Sequence, residues 1–181
     1  MKKILTVIGL ALILTGCSLK NMDNTPTKKV ETYLNNYQTL DSSVLNELDS
    51  IVDDEILFTN EQKDTYRDIL KKHYQDLVYK IKEETVNGDK ATVETEIEVN
   101  DYTKVLKEAE SYRITNESEF INENGIFSES KFNEYKLNLL KNNKDKVKYT
   151  IYFSLTKVNN EWVLDKLTET EQEKILGIYE Y

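Results

Sequence analysis

The chain has one cysteine in 181 residues. A lone cysteine makes no internal disulfide, so no disulfide framework holds this fold. There is also a single histidine, His73, and a zinc-type centre built on histidine and cysteine needs several such ligands. One proline and five glycines leave no long linker of the Pro-rich or Gly-rich kind. No Gly-rich phosphate loop, Gly-x-Ser-x-Gly elbow or Cys/His nucleophile pair occurs. No apolar run reaches the roughly 20 residues of a permanent bilayer span. Basic residues are few, 24 against 33 acidic. That balance disfavours nucleic acid, whose binding is dominated by phosphate neutralisation, and it disfavours spreading on anionic lipid.

What is present begins at the N-terminus. Lys2 and Lys3 precede an apolar run, Ile4–Leu14, followed by the small residues Thr15 and Gly16 and then Cys17. A basic start, a short apolar stretch and small residues make a secretory leader. Leu14-Thr15-Gly16-Cys17 resembles the lipobox of bacterial lipoproteins. The resemblance implies a diacylglyceryl group on the Cys17 thiol, cleavage just before it, and residence on the extracytoplasmic face of the cell membrane. Two acyl chains hold a protein stably where one holds weakly, at about 0.8 kcal/mol per buried CH₂. The expected division is 1–16 leader, 17–25 tether and 26–181 a single domain. Both leader lysines leave with the leader, so 22 basic residues then face 33 acidic ones, a formal charge of −11.

Periodicity sets the expected elements. Thr25-Pro26 reads as an N-cap with proline at the first helical position, and Val30, Tyr33, Leu34, Tyr37 and Leu40 follow at helical spacing. Asp41-Ser42-Ser43 starts a second helix, striped by Val44, Leu45, Leu48, Ile51 and Val52. Thr59-x-x-Gln62 is a capping box that opens a third. The period then becomes two: Leu77, Tyr79 and Ile81, then Ala91, Val93, Thr95, Ile97 and Val99. This predicts a hairpin with one buried face. Parity favours a three-residue loop, Val86-Asn87-Gly88, which sets Ile81 opposite Val93 and Lys80 opposite Glu94. Tyr102–Tyr112 and Ser128–Lys141 are helical, with an irregular polar stretch, Ile114–Phe127, between them. Val147 to Leu155 alternate again. A two-residue Asn159-Asn160 turn sets Leu155 opposite Leu164, and Thr168-x-x-Glu171 caps a last helix.

The expected fold class is α+β, with N-terminal helices packed on a curved antiparallel sheet of two hairpins and a helical insertion between the hairpins. Long N-terminal helices on such a sheet, ending in "NNEWVLDKL", resemble the nuclear transport factor 2-like (cystatin-like) domains over roughly Pro26–Leu167. The chain differs from that family by its insertion, Tyr102–Lys141. The resemblance implies, for an enzymatic member, a carboxylate base and a tyrosine donor in one pocket.

Candidate chemistry is sparse. Tyr79 and Tyr149 fall on the expected core face, where packing with a bonded hydroxyl is the plain reading. His73, flanked by Lys71, Lys72 and Tyr74, is expected on a helix surface. Asn122-Glu-Asn-Gly125 fits no calcium loop, because the frame set by Gly125 puts Phe120 and Lys131 at the end ligand positions. Glu94, Glu96 and Glu98 form an acidic stripe that lysines on neighbouring strands can pair. No catalytic residue, metal ligand or cofactor is assigned, and the one site residue is Cys17. The function expected is a membrane-anchored binding module for a protein or small-ligand partner. The alternative is a small enzyme or ligand binder using a pocket between sheet and helices. A third reading is an envelope component that self-associates along its acidic face.

Overall fold

A computed structural model describes residues 24–180. The leader, Cys17 and most of the expected tether lie outside the described residues. Three helices come first: α1 (Pro26–Thr39), α2 (Ser42–Asp53) and α3 (Asn60–Gln75). Two strands follow, β1 (Val78–Asn87) and β2 (Lys90–Asn100), then α4 (Tyr102–Thr115), a short 3-10 turn (Glu117–Phe120) and α5 (Glu129–Asn142). The chain ends with β3 (Lys146–Val158), β4 (Glu161–Leu164) and α6 (Glu169–Leu176). The four strands form one open antiparallel sheet in the order β1-β2-β3-β4.

Local chemistry sets the helix starts. Thr25 accepts from the Lys28 amide with Pro26 in the first turn, Asp41 caps α2, and Thr59–Gln62 and Thr168–Glu171 form complete capping boxes. Each cap contributes about 1 kcal/mol. Leu40 ends α1 in the left-handed region at φ 54°.

The core lies on one face of the sheet. Ala91, Val93, Ile97, Val99, Tyr149, Ile151, Phe153 and Leu155 meet Val30, Leu34, Tyr37, Leu48, Leu70 and Tyr74 from the helices. α1 lies on β1, β2 and β4, while α6 lies on β2 and β3. The insertion carries apolar clusters of its own. Ile69, Tyr102, Val105, Leu137 and Leu140 join it to α3, and Ala109, Phe120 and Phe132 form its tip. The stretch expected to be irregular thus supplies a buried residue, Phe120.

The second hairpin follows expectation. Asn159 and Asn160 both have positive φ, and Leu155 pairs with Leu164. Asparagine tolerates that geometry, which two-residue hairpin turns favour. The first hairpin does not follow expectation. Asn87 pairs with Lys90, so the loop is Gly88-Asp89, two residues long, and a register shift between Ile81 and Glu83 makes Lys82 a bulge. Ile81 therefore faces Thr95 and not Val93, and Lys80 faces Glu96 and not Glu94. The bulge adds one residue to β1, which returns Tyr79 and Ile81 to the core face. Nearer the turn, Glu84 accepts from the Thr27 amide and hydroxyl at 2.9 and 2.6 Å. A carboxylate there complements the positive end of α1.

Candidate functional site

Two regions need separate description: the sheet–helix interface and the end of the sheet where α3, α4 and α5 meet. The interface is filled. Val30, Leu34, Leu48, Val93, Ile97 and Leu155 all have zero exposure. Tyr149 is buried and donates to the Tyr179 carbonyl at 3.1 Å, and Tyr79 donates to Asn35 Oδ1 at 2.9 Å. Both are packing tyrosines with bonded hydroxyls. A broad open groove of about 860 Å³ passes beside Tyr149, between α4 and the first half of β3.

The other expected candidates are placed as follows. Asn122 accepts from the Asn124 and Ile126 amides, and Gly125 takes φ 75°, so this segment is a polar turn. Glu96 pairs with Lys82 and Lys148, and Glu98 pairs with Lys148. Ionic and hydrogen bonds from Lys82 hold the Glu96 carboxyl below its ordinary pKa. Among the described residues no group of three or more His, Cys, Asp or Glu could hold a metal ion.

His73 corrects the expectation of a surface residue: its exposure is zero. It lies one turn beyond Ile69 and Leu70, on the buried stripe of α3. Nε2 donates to the Ile175 carbonyl at 2.8 Å, and Nδ1 accepts from Asn100 Nδ2 at 3.3 Å. A carbonyl only accepts, so these partners define a neutral imidazole with its proton on Nε2. The ring packs against Tyr102, with centroids 4.7 Å apart and planes tilted by 30°. Burial, with a smaller push from Lys146, lowers the pKa to about 4 against the opposing Ile175 bond. Gly177 closes this node from α6 at φ 70°. A Cβ there would sit 2.1 Å from the Asn100 carbonyl oxygen and 3.2 Å from His73 Cε1. The Gly177 carbonyl accepts from the Tyr102 and Thr103 amides at 2.9 and 3.0 Å. Helices α3, α4 and α6 and the end of β2 are thereby joined around one imidazole.

On the other side of Asn100 and Tyr102 opens a cleft of about 400 Å³. One wall is α3, with Asp68, Ile69, Lys72 and Asp76; the other is the end of α5 and the start of β3, with Lys141, Lys144 and Lys146. This is within the usual size of a small-ligand site, about 300–1,000 Å³. Lys72 pairs with Asp76 at 2.7 Å. Lys141, Lys144 and Lys146 make no ion pair among the described residues. The cleft escaped sequence reading, because its walls are about 70 residues apart in the chain. A signal was there in Lys141-Asn-Asn-Lys-Asp-Lys146, a basic run in an acidic protein.

Set beside known proteins, the chain matches one family model, the prokaryotic membrane lipoprotein lipid attachment site, over residues 1–18. Cys17 lies inside those residues. The chain therefore carries a bacterial lipoprotein signal and is a lipid-anchored lipoprotein of a membrane. None of the nuclear transport factor 2-like span is matched by that model. No curated protein and no solved structure matches the chain. Among the described residues, no helix is long and apolar enough to cross a membrane.

Proposed function

We propose that Cys17 bears the diacylglyceryl anchor and that the α+β domain is displayed on the extracytoplasmic face as a non-catalytic binding module. The lipoprotein signal over residues 1–18 carries the reading of the anchor. The domain is anchored near the turn end of the sheet. Asn24 accepts from the Trp162 amide at 3.0 Å and donates to the Asn160 carbonyl at 2.9 Å. Residues Cys17 to Asn24 span at most about 25 Å, a short leash that keeps the domain near the bilayer. The binding reading draws on the 400 Å³ cleft at the far end of the sheet. The core between the sheet and α1–α3 is packed, so the rival, an enzyme with a pocket between sheet and helices, would have to use the open groove between α4 and β3. Helices gathered on one face of an antiparallel sheet are in keeping with a nuclear transport factor 2-like domain, which we retain as part of the proposal.

The anchor is tested by labelled palmitate. Wild type incorporates label and the Cys17→Ser protein does not; equal labelling of the two ends the proposal. The binding role is tested by crosslinking on intact cells. A specific adduct on the displayed domain is expected, and protection of the domain from external protease in spheroplasts would place it on the wrong face.

A further inference from the structure

We propose that the cleft between α3 and the α5–β3 segment binds a small phosphate-bearing ligand, held by Lys141, Lys144 and Lys146. This rests on the binding-module reading and deepens it by naming the chemistry recognised. The protein becomes strongly acidic once its leader is removed, yet three exposed lysines that make no ion pair among the described residues line one cleft of about 400 Å³. Lys72, on the opposite wall, is neutralised by Asp76. Lys141 occupies the last turn of α5, where a cation also offsets the helix dipole. Lys144 and Lys146 lie beyond the helix, and the lining as a whole sets four lysines against Asp68 and Asp76, a net of two positive charges.

The donors are ammonium groups, with no arginine in the cleft. Ammonium groups act as rotatable point charges, which suit a compact, multiply charged tetrahedral anion. The floor, Asn100 and Tyr102, is held in place by His73, which is bonded to Asn100 and packs against the Tyr102 ring. Preorganised walls lower the ordering cost of binding. The position favours a ligand from solution over a headgroup of the anchoring membrane. Asn100 pairs with Lys146 at one end of the sheet, and Asn24 leaves at the other. From Lys90 to Asn100, β2 spans about 33 Å.

The test uses the mature, lipidated protein in phosphatidylcholine vesicles, titrated calorimetrically with pyrophosphate at constant ionic strength. Saturable one-to-one binding is expected. The double variant Lys144→Gln/Lys146→Gln should bind about tenfold more weakly. Lys80→Gln/Lys166→Gln, with the same charge change on exposed residues elsewhere, should bind like wild type. No saturation, or equal loss in both double variants, overturns the site. Citrate binding tighter than pyrophosphate overturns the phosphate assignment. In vesicles containing phosphatidylglycerol, unchanged pyrophosphate affinity supports a soluble phosphate ester. A tenfold loss there supports the same chemistry with the lipid headgroup as its source. Failure of the titrations beside a specific adduct on intact cells would remove the ligand and leave the binding module standing.

Discussion

The imidazole of His73 joins α3, α4, α6 and the end of β2, and its protonation has a definite cost. An unfolded histidine takes up a proton near pH 6.5, whereas the folded one resists until about 4. Between those values the unfolded chain binds more protons, so folding stability is full above about 6.5, falls as the pH drops to about 4, and levels below. The difference is roughly 3 kcal/mol. Urea unfolding at pH 7 and pH 4 should show wild type losing roughly 3 kcal/mol more than His73→Gln; equal losses would mean that the imidazole titrates normally. The burial of His73 was legible in principle. It falls on the same helical stripe as Ile69 and Leu70. The flanking Lys71 and Lys72 suggested a surface, but adjacent residues on a helix point in different directions, so they carry no information about the face of His73.

At the scale of elements, helices were easier to read than strand register. Capping boxes and apolar stripes are local, and Thr59–Gln62 and Thr168–Glu171 form as their spacing requires. Register in the first hairpin depends on an inserted residue, and Lys82-Glu83 sits in a run of polar side chains that hides it. The parity argument correctly demanded that Tyr79 and Ile81 share the face of Ile97, but it placed the correction in the turn and not in the strand. Deleting Lys82 removes the bulge but makes Ile81 and Glu83 consecutive in a regular ladder, so Tyr79 and Ile81 keep their core-facing partners; deleting Lys82 and Glu83 together should swing both side chains to solvent, at a cost of roughly 2 kcal/mol. Lys82→Ala keeps the bulge and loses only an exposed pairing with Glu96, worth less than about 1 kcal/mol. Urea midpoints separate these effects; equal destabilisation by the single and the double deletion would mean that residue parity in β1 does not set the register.

For the whole molecule, three apolar clusters must act together. Tyr66 packs against both the sheet core and the α3–α5 cluster, and Leu139 packs against both clusters of the insertion. Shared residues couple the parts, so the domain should unfold in one transition, with Trp162 fluorescence and far-ultraviolet dichroism superimposing against urea. A separate early loss of helix would mean that α4 and α5 melt independently of the sheet. By itself the sequence determined the lipoprotein signal, the class of fold, most element boundaries and the second hairpin, because each depends on residues close together in the chain. Only the tertiary structure decided that His73 is the buried junction, that β1 carries a bulge, and that lysines from α5 and β3 face α3 across a cleft. Those features arise where distant segments exclude water from one another, and no local pattern encodes which segments will meet.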